Sequence, residues 1–453
     1  MTTLPLLDLD DLSRPLARRG EHVVSRADYL AHVARLAARL PERGPLLSLT
    51  ADRYRFSVAL GAAMARGHTS LLPSNHTPDT LARLKSLFPS VYALADQPDA
   101  VDGMPAFAYP DLADESRGNA AAAPEIGTDF VVAQVLTSGS TGAPVPHLKR
   151  WGLLVLNARA EARRLADAMG RRSLDGVWLV ATVPAQHMYG FESTVLLALV
   201  GGAAFDNERP FYPADIARAL ARAPRPRMLV TTPFHLKTLL DAGIELPPID
   251  LLLSATAPLT PQLATRAEAA FGAPLLEIYG CTEAGQVATR RTTAGAAWRV
   301  FDGLALEGNG AQTVVSGGHV GAPTPLADVL EVLDPQTFRL LGRSNDLVNI
   351  AGKRSSLGHL NHQLNTIDGV VDGAFWMPPD DGSEIVRLVA FVVAPTLARR
   401  AVVDALRTRV DAAFLPRRVV FVDALPREAT GKLTAGRLAE FAAATLGGSG
   451  AAR

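Results

Sequence analysis

Six consecutive residues of this 453-residue chain, Thr137, Ser138, Gly139, Ser140, Thr141 and Gly142, offer only hydroxyls and main-chain amides. Glycine admits positive φ and lets the backbone approach a ligand closely. Successive free N–H groups, with hydroxyls beside them, form a concave donor surface that suits phosphate oxygens. The spacing is not Gly-x-x-x-x-Gly-Lys, which excludes a phosphate loop of the Walker type. An ordinary surface turn has the same composition, so the stretch takes its meaning from its surroundings. The run 131–136 before it reads as a short buried strand. Other apolar strands end in the same manner. The run 177–183 leads to Pro184, Gln186, His187, Gly190 and Phe191, and 251–253 leads to Ser254, Ala255, Thr256, Ala257, Pro258 and Leu259. A third, 274–278, leads to Tyr279, Gly280, Cys281, Thr282 and Glu283. Ligands of open α/β sheets sit at the C-terminal ends of strands, so these loops predict one site assembled from distant segments.

Strands alternating with helices must position those loops. The periodicity predicts strands at 45–49, 70–72, 91–94 and 228–232, with helices at 56–65, 78–88 and 153–169. This alternation argues a parallel sheet covered by helices, an α/β fold. Residues 1–45 read as polar and helical, with Ser25 capping a helix to about Leu40, and 111–127 as a linker or surface loop. From about 311 the pattern becomes strand and turn. After Gly342-Arg343-Ser344-Asn345-Asp346 comes a compact unit: a helix at 357–367, a strand at 386–394, a helix at 397–414 and a strand at 418–422. Residues 426–433 read as loop, and the Gly-rich 447–450 as disordered.

The length implies more than one domain. Apolar residues at 48% and charged ones at 20% fit an ordinary globular protein. Lys+Arg and Asp+Glu both number 45, which gives no electrostatic reason to expect nucleic acid or an anionic membrane. The lone cysteine, Cys281, excludes a disulfide framework and a cysteine-based zinc site. The acidic start lacks the features of a secretory signal. The longest apolar stretch, 195–205, contains Gly201-Gly202 and is too short to span a bilayer. A cytoplasmic protein without a membrane span is expected.

Taken in order, these motifs resemble the adenylate-forming superfamily: acyl- and aryl-CoA synthetases, nonribosomal adenylation domains and luciferases. Thr137 to Gly142 matches its Ser/Thr/Gly loop over the ATP phosphates; His187 with Gly190 matches its His-aromatic-Gly stretch beside the acyl pocket. Ser254, Ala255, Thr256 and Ala257 resemble its adenine loop, and Tyr279-Gly280-Cys281-Thr282-Glu283 its Tyr-Gly-x-Thr-Glu. Asp328 stands at the spacing of its ribose-binding Asp before Arg343, Asn345 at its hinge, and Gly431-Lys432 at its catalytic lysine. The resemblance implies a large N-terminal domain of layered sheets and helices, 1–342, and a small mobile α+β domain, 343–453.

The same resemblance implies a two-step ligation in which ATP activates a carboxylic acid and a pantetheine thiol then takes the acyl group. Lys432, Glu283, Thr282 and His187 carry the chemistry, with Glu283 holding Mg²⁺. Residues 137–142, Ser254 to Ala257, Tyr279, Gly280, Asp328 and Arg343 bind ATP. His187, Phe191, Gly280 and Cys281 line the acid pocket, suiting an aryl or unsaturated acid, and Gly352 lines a thiol tunnel to CoA or an acyl-carrier protein. Pro144 lacks the lysine that usually follows it, so Lys149 or Arg150 supplies that charge or none does. Gly-x-Pro-x-Pro-His-x-Lys-Arg-Trp resembles ligases of aryl-polyene, xanthomonadin-type pigment pathways. An adenylating enzyme with a non-thiol acceptor, and a non-catalytic nucleotide-binding homologue, are the alternatives.

Overall fold

The computed structural model describes all residues except 1, 8–9, 74, 102, 113–121, 139–143, 309–311, 344–346, 351–352, 379–387, 428–432 and 448–453. Two sheets dominate the N-terminal part. The first has six strands in the order Pro144–Arg150, Val131–Ser138, Ser70–Pro73, Leu46–Leu49, Tyr92–Ala95 and Ala106–Ala108. All its pairings are parallel except that of the edge strand Pro144–Arg150. The second sheet has eleven strands. Its parallel centre runs Leu275–Cys281, Leu251–Ser254, Arg227–Thr231, Trp178–Ala181 and Ala204–Asp206. Leu251 to Leu253 and Met228 to Val230 are wholly buried, as strands covered on both faces must be.

Helices Arg26–Ala37, Arg53–Ala65 and Trp151–Ala168 pack between the two sheets, and one hydrophobic core joins side chains from all three layers. Pro213–Arg222, Pro233–Asp241 and Pro261–Phe271 cover the outer face of the larger sheet; Pro78–Leu87 covers that of the smaller. The result is the expected α/β fold with layered sheets, followed by a small C-terminal unit. That unit holds the sheet Asp372–Trp376, Val389–Val393 and Arg418–Phe421, with helices Leu357–Asn365 and Arg399–Arg407.

Several expectations need correction. Residues 1–45 are not mainly helical: Thr3–Pro5, Pro15–Arg19 and His22–Ser25 are strands. Gly20, at φ 58, closes a tight turn, and Pro15–Arg19 joins the larger sheet beside Ala204–Asp206, burying Leu16 and Ala17. Ser25 does cap the helix that follows, in a reciprocal box with Asp28, but the helix stops at Ala37. Within 111–127, Glu125–Gly127 is a strand paired with Thr3–Pro5. The Ser/Thr/Gly stretch does not simply follow a strand. Thr137 and Ser138 end Val131–Ser138, which pairs antiparallel with Pro144–Arg150. Two prolines hid that second strand, and it stands at the sheet edge, where missing N–H donors are tolerated. Asp372–Trp376 and helix Ala435–Gly447 were also unforeseen.

Gly190 shows how tightly the interlayer region is built. A β-carbon there would lie 2.0 Å from the Pro184 carbonyl oxygen. Gly190→Ala is expected to destabilise the protein by about 2–4 kcal/mol. Gly170→Ala, at φ 65 in open space, should cost only about 1–2 kcal/mol. Denaturant titration of both variants measures the difference, and equal costs would contradict the packing described.

Candidate active site

Strand Leu275–Cys281 turns back antiparallel into Gly285–Arg290, so Thr282 and Glu283 project from the tip of a hairpin. Tyr279 and Gly280 are therefore strand residues, not loop residues. Only glycine fits at 280, because a β-carbon would meet the Gly285 carbonyl oxygen at 2.5 Å. The Tyr279 ring packs edge-on against Trp298 and Phe338. Its hydroxyl then donates to Asp328 Oδ2 at 2.8 Å. Asp328 lies opposite Arg343 in the register of strands Asp328–Asp334 and Thr337–Arg343. Three motifs far apart in sequence thus meet at one place.

The Ser254 loop opens from the neighbouring strand. Thr256 has φ 80, a left-handed conformation that a β-branched residue adopts only under strain. The loop is pinned at both ends: the Tyr189 hydroxyl donates to the Leu253 carbonyl at 2.9 Å, and the Leu259 N–H donates to Glu277 at 3.3 Å. Ser254 Oγ is buried with no partner among the described residues.

Lys149 and Arg150, successive residues of one strand, point to opposite faces; opposite them the partner strand carries an extra residue, Val132. Arg150 turns outward to the Asp129 carbonyl at 2.7 Å. Lys149 is 8% exposed and donates its ammonium to the carbonyl of Thr282. Burial lowers its pKa, while Glu192, Cys281 and Glu283 act against that. Glu283 is half-exposed, with His147 Nε2 3.9 Å from its Oε1. No group of three or more candidate metal ligands occurs among the described residues. A single exposed carboxylate nevertheless fits Mg²⁺, which takes most of its shell from water and phosphate oxygens.

His187 opens the helical turn Met188–Gly190; burial first, then Arg209 and His76, lower its pKa, so it is neutral near pH 7. Phe191 is wholly buried, edge-on to Phe56 at 6.3 Å. Burial pushes the Cys281 thiol up to about 11, which leaves it a poor nucleophile. The side chains of Thr137, Ser138 and Arg343 lie outside the description, as do Gly139, Ser140, Thr141, Gly142, Asn345, Gly352 and Lys432.

Sequence reasoning missed a buried polar cluster behind the hairpin. Asn157 and Glu161 come from helix Trp151–Ala168, Glu192 and Ser193 from the helical segment Phe191–Leu196, Gln286 from the hairpin, and His319 from beyond it. Asn157 donates to Glu192 at 2.7 Å, Gln286 to Ser193 at 3.0 Å, and His319 Nε2 meets the Gln286 carbonyl at 2.6 Å. Both Glu161 carboxyl oxygens are buried without a well-formed hydrogen bond among the described residues, although Ser193 and Gln286 stand close enough to stabilise its charge in part. Burial raises the Glu192 pKa to about 7 and that of Glu161 to about 8. A sequence signal existed: Asn157 and Glu161, four residues apart, share a helix face with Leu154, Ala158 and Leu165, which are buried.

A family profile described as AMP-binding enzyme matches residues 23–346, and one described as AMP-binding enzyme C-terminal domain matches 364–432. The chain belongs to the AMP-binding enzyme family. It is 33% identical over 300 residues to a 4-coumarate–CoA ligase of Rhodobacter capsulatus, covering 65% of this chain and 73% of that protein. A 4-coumarate–CoA ligase of Halorhodospira halophila is 30% identical over 310 residues, covering 66% and 73%. Among solved structures, ATP-bound MatB of Rhodopseudomonas palustris superposes with a TM-score of 0.80 at 21% identity, over 96% of this chain and 97% of that one. At that identity the match speaks for the fold alone.

The two raised carboxyls tie stability to pH. They stay protonated in the folded protein and ionise on unfolding above their ordinary value of 4.5. The unfolded chain then binds fewer protons, so their contribution falls as pH rises from about 4.5 toward about 8. Glu161→Gln keeps the shape and removes the ionisation. It is expected to stabilise the protein by about 1–3 kcal/mol at pH 8 and far less at pH 5. Denaturant titrations at both pH values check this, and an unchanged pH dependence would contradict it.

Proposed function

We propose that this protein is an AMP-forming acid–thiol ligase. A carboxylate oxygen attacks the α-phosphorus of ATP, pyrophosphate leaves, and an acyl-AMP forms. A pantetheine thiol then attacks the acyl carbon and AMP leaves. The observation that carries this reading is the Tyr279–Asp328 hydrogen bond at 2.8 Å beside Thr282 and Glu283. It gives one carboxylate oriented for ribose hydroxyls, at a strand end, and a second, half-exposed at the hairpin tip, for a metal. Glu283 would hold Mg²⁺, which neutralises charge on the phosphates.

In this reading Thr137 to Gly142 cradle phosphate oxygens, Ser254 to Ala257 flank adenine, and Arg343 joins Asp328 at the ribose. His187, with Gly280 and Cys281, bounds the acid pocket, with Phe191 behind it. Lys432 meets the reacting carboxylate and phosphate. It then withdraws as the unit 343–453 turns about Asn345 on the unit 1–342, and the thiol enters past Gly352. Lys149 fills the place of the lysine missing after Pro144 indirectly, by holding the Thr282 carbonyl and so the attitude of Glu283. An aryl or unsaturated acid is favoured because relatives at 33% and 30% identity are ligases for 4-coumarate. Those relatives use CoA by name; an acyl-carrier protein would present the same thiol. A place in cytoplasmic pigment biosynthesis rests on the motif around Pro144 to Trp151 alone. Among the described residues no helix is long and apolar enough to cross a membrane.

Carboxylate-dependent ATP–pyrophosphate exchange, without thiol, tests the first half-reaction. Exchange is expected with one class of aryl or unsaturated acid, and none with any acid would overturn the reading. Lys432→Ala should abolish exchange while ATP binding persists. Lys149→Met should lower exchange about 10- to 100-fold, the range for loss of one positioned charge; an undiminished rate would remove Lys149 from the site.

A further inference from the structure

A cavity of about 220 Å³ lies beside the loop that leads to His187. Among the described residues, none of the ATP-binding motifs lines it. Its polar wall residues are Thr50, Asp52, Arg53, His76, Gln186 and Arg209, two cations against one carboxylate. Arg53 decides its character. The side chain is 2% exposed. Its Nη2 donates to the Val183 carbonyl at 2.7 Å and the Ala181 carbonyl at 3.3 Å. Its Nε and Nη1 have no partner among the described residues. A buried guanidinium with open donors is costly unless something anionic meets it.

The acids near Arg53 are already engaged. Asp52 accepts from the Arg55 N–H at 2.9 Å and from Asn207 at 3.0 Å. Asp206 accepts from Arg222 at 2.9 Å and from the Glu208 N–H at 3.0 Å. Arg209 adds a second, exposed cation on the cavity wall. His76 Nε2 is also buried and without a partner among the described residues. Helix Arg53–Ala65 begins at this wall, and its N-terminal end adds positive potential over 13 residues of helix. Burial, then Arg209 and His76, depress the pKa of the adjoining His187, in keeping with a cationic environment.

We propose that this cavity binds an anionic group, a carboxylate or a phosphate, between Arg53 and Arg209 with His76 as a third contact. The group could arrive on either of two molecules: the far carboxylate of a dicarboxylic acid, or the phosphate of a phosphopantetheine arm. The anion site stands by itself; the choice between these two sources rests on the ligase reading. In both cases the anion lies next to His187 and anchors a reactant at a point remote from the bond being made, which raises its effective concentration there.

The test uses the full chain. ATP binding is measured first by calorimetry, which keeps failure of the ligase reading separate. With ATP saturating, inorganic phosphate and glutarate are then titrated at constant ionic strength. Saturable binding of at least one is expected, weakened about tenfold by Arg209→Gln and restored in part by Arg209→Lys. Arg209 is exposed, so its variants should fold; Arg53→Gln and His76→Phe are read where they fold. Competition identifies the source. Displacement by 4′-phosphopantetheine and not by pantetheine assigns the site to the thiol arm. Displacement by glutarate and not by butyrate assigns it to the acid. No saturable binding of either anion, equal binding by Arg209→Gln, or displacement by neither competitor would overturn the proposal.

Discussion

One buried ammonium links the two sheets at the point where the chemistry is placed. Lys149 leaves the edge of the six-stranded sheet and ends on the carbonyl of Thr282, at the tip of a hairpin in the eleven-stranded sheet. The two residues are 133 positions apart. Because the ammonium is almost wholly buried, it must have an oxygen partner or lose its proton. The Thr282 carbonyl meets that need, and Glu283 is thereby turned outward, where it is half-exposed. Strand alternation makes this geometry possible: Lys149 and Arg150 are successive residues and point to opposite faces of the sheet, so one is buried and the other exposed.

Behind that link the interior is polar, and it is polar for a reason that apolar packing could not supply. Lys149 faces Glu192, which Asn157 orients, while Glu161 and Gln286 converge on Ser193. Burial raises both carboxyls, to about 7 for Glu192 and about 8 for Glu161, with repulsion from Glu192 adding to the rise at Glu161 and Lys149 opposing it at Glu192. Below those values the cluster holds the hairpin with neutral hydrogen-bonding groups beside one ammonium. On the other side of His187 the balance is reversed, with Arg53 and Arg209 dominating. His187 thus stands near a cavity where two arginines face one carboxylate, while the buried Glu161 and Glu192 carboxyls are raised above their ordinary value.

Much of this fold was legible because doubly covered parallel strands advertise themselves as short apolar runs. Leu251 to Leu253 and the strand around Met228 were placed within a residue, and that around Leu275 at its start, though it runs three residues further, to Cys281. Several strands that escaped lie at a sheet edge or one place in from it, where the apolar requirement relaxes. Pro15–Arg19 carries two arginines, and Pro144–Arg150 carries two prolines. The site was legible as motifs but not as contacts. Tyr279 and Asp328 were each singled out, yet nothing in their spacing of 49 residues discloses that one donates to the other. Lys149 was one of two candidates, and only the register of a strand that escaped the sequence reading turns it inward and Arg150 outward. Glu161 and Glu192 were passed over because charged residues on helices are usually solvated, and these are not.

The central claim is that the carboxylate is activated as an acyl-AMP at the strand ends gathered around Tyr279, Asp328 and Glu283. The most direct measurement follows an oxygen atom. The acid is supplied with both carboxylate oxygens as ¹⁸O, with ATP, Mg²⁺ and thiol, and the released AMP is examined by mass spectrometry. Attack by carboxylate on the α-phosphorus transfers one ¹⁸O to AMP in each turnover, and that is the predicted result. Product thioester formed alongside unlabelled AMP would contradict it, because the acyl group would then have been activated by some other bond.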